Sequence, residues 1–161
     1  MYRLSTLIIL CAGLALSACT DRFGGAVPAD GVAGSNADPS SPAYFQQSVG
    51  DRVLFAVDES TLNAAARATL TEQAKWLQAN QMFTAVIEGH ADEQGTREYN
   101  LALGARRASA AREFLISQGV ASSRLRVLTY GKERPLEVCS TEVCYSNNRR
   151  AVTVLATGVG A

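Results

Sequence analysis

The sequence predicts a small α/β sandwich, a β-α-β-α-β-β chain with two main helices packed on one face of a mixed four-stranded sheet. Three observations lead there. From residue 44 onward, short runs rich in β-branched and aromatic residues alternate with longer runs of helical period. The first three strand-like runs are joined by connections long enough to hold a helix, which places helices against a sheet. No internal repeat or heptad run competes with that order.

Val53 to Val57 follows a Gly-Asp turn and reads as the first strand. Asp58, Glu59, Ser60 and Thr61 then supply side chains of the helix-capping type. Leu62, Ala66, Leu70, Ala74 and Leu77 recur at helical spacing and predict a helix to about Asn80. Phe83 to Glu88 is the second strand, followed by a loop from Gly89 to Gly95. Thr96 opens a longer helix to Gln118, with Leu103, Ala110, Ala111, Phe114 and Leu115 on its buried face. Gly119 stands where a C-cap glycine belongs. Arg126 to Tyr130 and Ala151 to Leu155 complete the sheet, joined by a loop that holds Gly131, Pro135, Cys139 and Cys144.

The 161 residues have room for one domain plus appendages. Basic and acidic residues balance at 15 each, which argues against a nonspecific grip on nucleic acid. Thirteen of the basic residues are Arg, the side chain suited to holding a carboxylate through two parallel hydrogen bonds. Residues 1–18 carry one early positive charge, an apolar run from Leu7 to Leu16 and small residues before Cys19, the pattern of a secretory signal. That run is too short for a bilayer core, which takes about 20 residues. From Thr20 to Ala43 the composition turns to Gly, Ala, Pro, Ser and Asp. It reads as a flexible tether, averaging roughly 25–30 Å end to end. The folded domain is therefore expected at 44–161, behind a tether at 19–43.

Of the four cysteines, Cys11 leaves with the signal, and Cys139 and Cys144 share a polar stretch. In an exported protein a disulfide closing a small loop is the favoured reading. Zinc is the rival, and no second ligand pair at the usual spacing supports it. No metal or other cofactor is expected.

The densest polar cluster runs from Glu88 to Asn100 and continues into Leu101–Ala108. It lies at a strand end, crosses a loop and enters the first turns of a helix. Two readings stand side by side. One is a solvated helix face with i,i+4 charge pairs. The other brings Asp92 and Arg107 together, so that Arg takes the carboxylate and Asp the ammonium of a zwitterion. His90 invites a metal or catalytic reading with Glu88 and Asp92, yet it is the only His in the chain. No nucleophile elbow lies nearby. Trp76 and Tyr99 read as packing, with Tyr99 near enough to the cluster to leave its role open.

The string EGHADEQGTREYNLALGARRA, followed by YGKERP and NRRAVTV, closely resembles the peptidoglycan-associated lipoproteins of Gram-negative bacteria, a branch of the OmpA C-terminal-like family. The resemblance runs from about Val53 to Leu155. Leu16-Ser17-Ala18-Cys19 likewise resembles the lipobox of bacterial lipoproteins, which implies an acylated Cys19 after cleavage. Thr20, where Asp would favour inner-membrane retention, points to an outer-membrane anchor with the domain in the periplasm. The family implies noncovalent binding of peptidoglycan through the meso-diaminopimelate of its stem peptide, not an enzyme activity. By match to the family motifs, Asp92 takes the ammonium and Arg107 the carboxylate. Asn100 supports them, Arg149 or Arg150 reaches the ligand, and the loop at Asp58 forms a wall through backbone groups. The family also implies engagement of the Tol proteins, TolB foremost and TolA second, as part of the Tol-Pal system that serves envelope integrity and constriction at division. One departure stands out. Where the family commonly has Phe-Asp-Phe-Asp, this chain has Phe55-Ala56-Val57-Asp58. On this reading Asp92→Ala and Arg107→Ala are expected to abolish wall binding while leaving the fold intact.

Overall fold

The computed structural model describes residues 37–157. The signal segment, the lipidation expected at Cys19 and the tether as far as residue 36 lie outside the described residues. Four strands, β1 (Arg52–Leu54), β2 (Phe83–His90), β3 (Leu125–Gly131) and β4 (Arg150–Thr157), form one sheet in the order β1-β4-β2-β3. The last strand thus inserts between the first two. It runs antiparallel to both neighbours, whereas β2 and β3 are parallel. The long helices α2 (Ala64–Ala79) and α3 (Arg97–Ser117) supply the crossovers. Their buried Leu70, Leu77, Ala108, Ala111 and Leu115 meet Ala85, Ile87 and Ala151 from the sheet. The predicted sandwich is the observed fold.

Helix ends follow from local chemistry at α3 and depart from expectation at α2. Thr96 caps α3 by accepting from the Tyr99 N–H at 3.2 Å, and Gly119 takes the left-handed conformation (φ 98°) beyond its end. The α2 cap is Asn63, accepting from the Ala66 N–H at 2.8 Å. Residues 58–61, expected to cap it, instead form a loop. The reason lies upstream. Strand β1 stops at Leu54, three residues short of the predicted Val57, and Phe55 makes one more ladder bond to the Arg149 carbonyl (2.9 Å). The chain then turns, with Asp58 at φ 58°.

Two pieces were not anticipated. A short helix α1 (Pro42–Tyr44) leads into a π-helical turn, Phe45–Gly50. Phe45 enters the core against Trp76, with ring centroids 4.9 Å apart, and the Trp76 indole N–H donates to the Pro39 carbonyl at 2.7 Å. A buried indole N–H needs an acceptor, so packed structure reaches back to Pro39, ahead of residue 44. The second piece is α4 (Glu142–Asn148), within the segment read as a loop. Buried Asn148 organises that segment, accepting from the N–H groups of Leu136 (2.7 Å) and Glu137 (3.1 Å) and donating to the Glu137 carbonyl (2.8 Å). Cys139 and Cys144 are bonded across the start of α4.

Helix α3 crosses β2 at a pair of glycines. A Cβ placed on Gly89 would stand 1.8 Å from the Gly104 carbonyl oxygen. That contact sets α3 close enough to the sheet for its first three turns to overhang the end of β2. No helix among the described residues is long and apolar enough to cross a membrane.

Candidate ligand-binding site

Where β2 ends, the loop to α3 and the loop after β1 enclose a half-open cavity of about 300 Å³. Asp92 and Gln94 come from the first loop, and Asp58 with Val57 from the second. Tyr99, Asn100, Leu103 and Arg107 line it from α3, one helical face seen end-on.

Arg107 forms the floor and is fully buried. Its guanidinium donates to three backbone carbonyls, Nε to Glu59 (2.7 Å), Nη1 to His90 (2.9 Å) and Nη2 to Ala56 (3.1 Å). These bonds tie the β1 loop, the end of β2 and α3 together. They use three of the five donors of a guanidinium and leave the rest for the pocket it lines. Burial pushes its pKa down to about 10; the charge of Asp92 works the other way and that of Arg149 adds to the drop. It is still a cation at neutral pH. The expectation that Arg107→Ala would spare the fold is at odds with this arrangement.

Asp92 is buried (8 % exposed), with Oδ1 accepting from the Gln94 N–H (3.2 Å) and Oδ2 from Arg149 Nη1 (3.1 Å). A carboxylate has about four acceptor positions, so each oxygen keeps capacity for a ligand donor. Asn100, buried in the same wall, spends its amide on the Gln94 carbonyl (2.7 Å) and so shapes the loop. Asp58 contributes more than backbone, because its carboxylate accepts the Tyr99 hydroxyl. Tyr99 is therefore a wall residue rather than packing.

The two terminal arginines separate. Arg149 does not line the pocket: it holds Asp92 on one side and Glu142 on the other. Arg150 projects to the opposite face of the sheet, donating to the carbonyls of Asn148 (3.3 Å) and Arg134 (3.1 Å). The period of two along β4 puts neighbours on opposite faces, so an Arg pair cannot serve one site. Sequence reasoning also missed Val57, Gln94 and Leu103, for which only the loop chemistry near Asp92 was a signal.

His90 faces away from the cavity. It is buried, with its ring centroid 5.5 Å from that of Tyr130. Burial first, then the charges of Arg150 and Arg134, lower its pKa to about 4. No group of three metal-ligating side chains occurs among the described residues. A depressed His pKa means that the unfolded chain binds the proton more readily between pH 6.5 and 4. The stability contributed by neutral His90 is thus complete above pH 6.5 and is lost as pH falls towards 4, a change of about 3 kcal/mol. Denaturant titrations at pH 7.5 and 4.5 should show that His90→Asn flattens this acid-side loss. An unchanged slope would contradict it.

The family model of the OmpA family matches residues 54–149. The chain belongs to the OmpA family. A peptidoglycan-associated lipoprotein of Mesorhizobium japonicum is 51% identical over 163 residues, covering 100% of this chain and 96% of that protein. One from Brucella melitensis is 54% identical over 125 residues, 78% of this chain and 74% of that protein. The crystal structure of the peptidoglycan-associated lipoprotein from Burkholderia pseudomallei superposes with TM-score 0.67 at 34% identity, covering 75% of this chain and 98% of that one. The OmpA match spans Asp58, Asp92, Asn100, Arg107 and Arg149 and stops just before Arg150.

Proposed function

We propose that this chain is an outer-membrane lipoprotein, anchored through Cys19, whose OmpA-family domain binds peptidoglycan noncovalently and tethers the membrane to the wall. The ligand is the free zwitterionic end of meso-diaminopimelate in the stem peptide. The observation that carries this reading is the pairing of Asp92 and Arg107 in one half-open cavity of about 300 Å³. An acid and a guanidinium at fixed separation suit an ammonium and a carboxylate on one carbon. The names of the relatives above support association with peptidoglycan. Such a contact is weak singly, and many tethers on one wall gain by multivalency.

A rival envelope hydrolase would need an activated nucleophile or a metal, and His90, its natural base, faces away from the cavity. The Tol proteins, TolB first and TolA second, fit as partners competing for the same face; competition between TolB and wall fragments for the purified chain tests that part.

For the wall itself, the full chain should co-sediment with diaminopimelate-type peptidoglycan without releasing soluble fragments. Asp92→Asn keeps an acceptor for Arg149 and removes the charge. It is expected to weaken binding by about 1.5–3 kcal/mol, roughly ten- to hundredfold, at nearly unchanged Tm. Equal pelleting of variant and wild type would refute the assignment, and released fragments would turn the reading to catalysis.

A further inference from the structure

Both acids of the pocket loop lean on one short segment. The Arg149 guanidinium that donates to Asp92 Oδ2 at 3.1 Å is held on its other edge by Glu142. Its Nε donates to the Phe55 carbonyl at 3.2 Å, fixing the same side chain to the end of β1. Glu93, next to Asp92, accepts from Ser140 Oγ (3.1 Å) and Tyr145 Oη (2.8 Å). Apart from the Gln94 N–H, the donors to both acids therefore come from residues 140–149.

Apart from the bonds of buried Asn148 near its end, that segment has little else to hold its shape. Helix α4 is seven residues long, below the length at which a helix sustains itself. Glu142 sits in its first turn with a side chain 65% exposed, so packing does not hold it. The bond between Cys139 and Cys144, whose Cα atoms are 5.9 Å apart, closes the arc that contains Ser140 and Glu142. Electrostatics agree with the geometry. Burial works against the Arg149 charge, but its bonds to Glu142 and Asp92 more than offset that and raise its pKa. In turn Arg149 draws Glu142 below its ordinary range.

We infer that Glu142 and Arg149 are positioning residues for Asp92, and that the Cys139–Cys144 disulfide is the clasp that keeps this relay aligned on a ligand ammonium. The inference rests on the zwitterion reading of the pocket. With the clasp open, the arc carrying Glu142 and Ser140 gains conformational freedom, Arg149 loses its outer carboxylate, and Asp92 samples positions off the pocket axis. The core between sheet and helices does not depend on it. Opening by a dithiol delivers two electrons and two protons to the sulfurs, giving two thiols, while the dithiol leaves as its cyclic disulfide.

The test uses the full chain in detergent and two soluble muropeptides, one ending in meso-diaminopimelate and one with that residue's free amine acetylated. Wild type should prefer the free amine, and Asp92→Asn should lose the preference. Glu142→Gln, the double variant Cys139→Ser/Cys144→Ser and dithiol-reduced wild type should each lose roughly tenfold in affinity for the free-amine fragment. Their binding of the acetylated fragment should match wild type, and their Tm should stay within a few degrees of it. If these forms bind both fragments as wild type does while Asp92→Asn does not, the relay is refuted and the pocket reading stands. If they weaken both fragments equally, the segment is a general support and the relay is again refuted. If wild type itself does not distinguish the fragments, the zwitterion reading fails and the relay falls with it.

Discussion

Arg107→Ala is expected to destabilise the domain by about 4 kcal/mol or more, rather than only emptying the pocket of its cation. The side chain is fully buried, and its removal takes a donor at once from the carbonyls of Ala56, Glu59 and His90, of which Ala56 keeps the Glu59 N–H. The buried His90 carbonyl left without this donor costs about 1–3 kcal/mol, and the vacated space and the loss of the tie between three segments add to that. Against a total stability of about 5–15 kcal/mol the loss is a large fraction. In a thermal melt, a drop of more than about 10 °C in Tm is expected. Arg107→Lys should fall between, because one ammonium cannot reproduce the planar fork that reaches three carbonyls on three segments. A melt of Arg107→Ala within 3 °C of wild type would show that water replaces the lost donors, and would return Arg107 to a purely ligand-facing role. Pelleting assays on this variant cannot be read without the melt, since loss of binding follows from either cause.

Gly89→Ala is expected to be as severe, for a different reason. The new methyl would lie 1.8 Å from the Gly104 carbonyl oxygen and 2.6 Å from its carbon, both backbone atoms of a helix interior. Neither can rotate aside, so α3 must lift from β2. Lifting breaks contacts of Leu103, Ala108 and Ala111 and moves Asn100 and Arg107 away from Asp92. Overpacking of an adaptable site costs about 1–3 kcal/mol, and a clash between two backbones exceeds that range. Gly104→Ala should be milder. Its Cβ would meet the Thr129 hydroxyl at 2.5 Å, a group that can turn, and the Gly89 carbonyl oxygen at 2.9 Å. The expected order of Tm is wild type, then Gly104→Ala, then Gly89→Ala. The reverse order would mean that the sheet, not the helix, yields at this crossing.

What the sequence determined by itself is local. The helical period through Leu70 and Leu77, the cap at Thr96 and the glycine at 119 each depend on a few consecutive residues, and each is where the chain placed it. The motif around Asp92 and Arg107 reads as a strand end, a loop and the first turns of a helix, and the chain places it there. The tertiary structure decided the rest. It set β4 between β1 and β2, and so gave Phe55 the Arg149 carbonyl as a partner before the chain turned off at Ala56. It sent Arg149 towards Asp92 and Arg150 to the other face, although the two read alike in the chain. It made Arg107 a tie between three segments as well as the pocket floor. A guanidinium chooses among acceptors that long-range packing brings within reach, and residues 56, 59 and 90 come near 107 only once α3 has settled on the sheet. Periodicity reports which face of an element is apolar; which other element covers that face, and which polar groups meet at the join, is settled by packing over the whole chain.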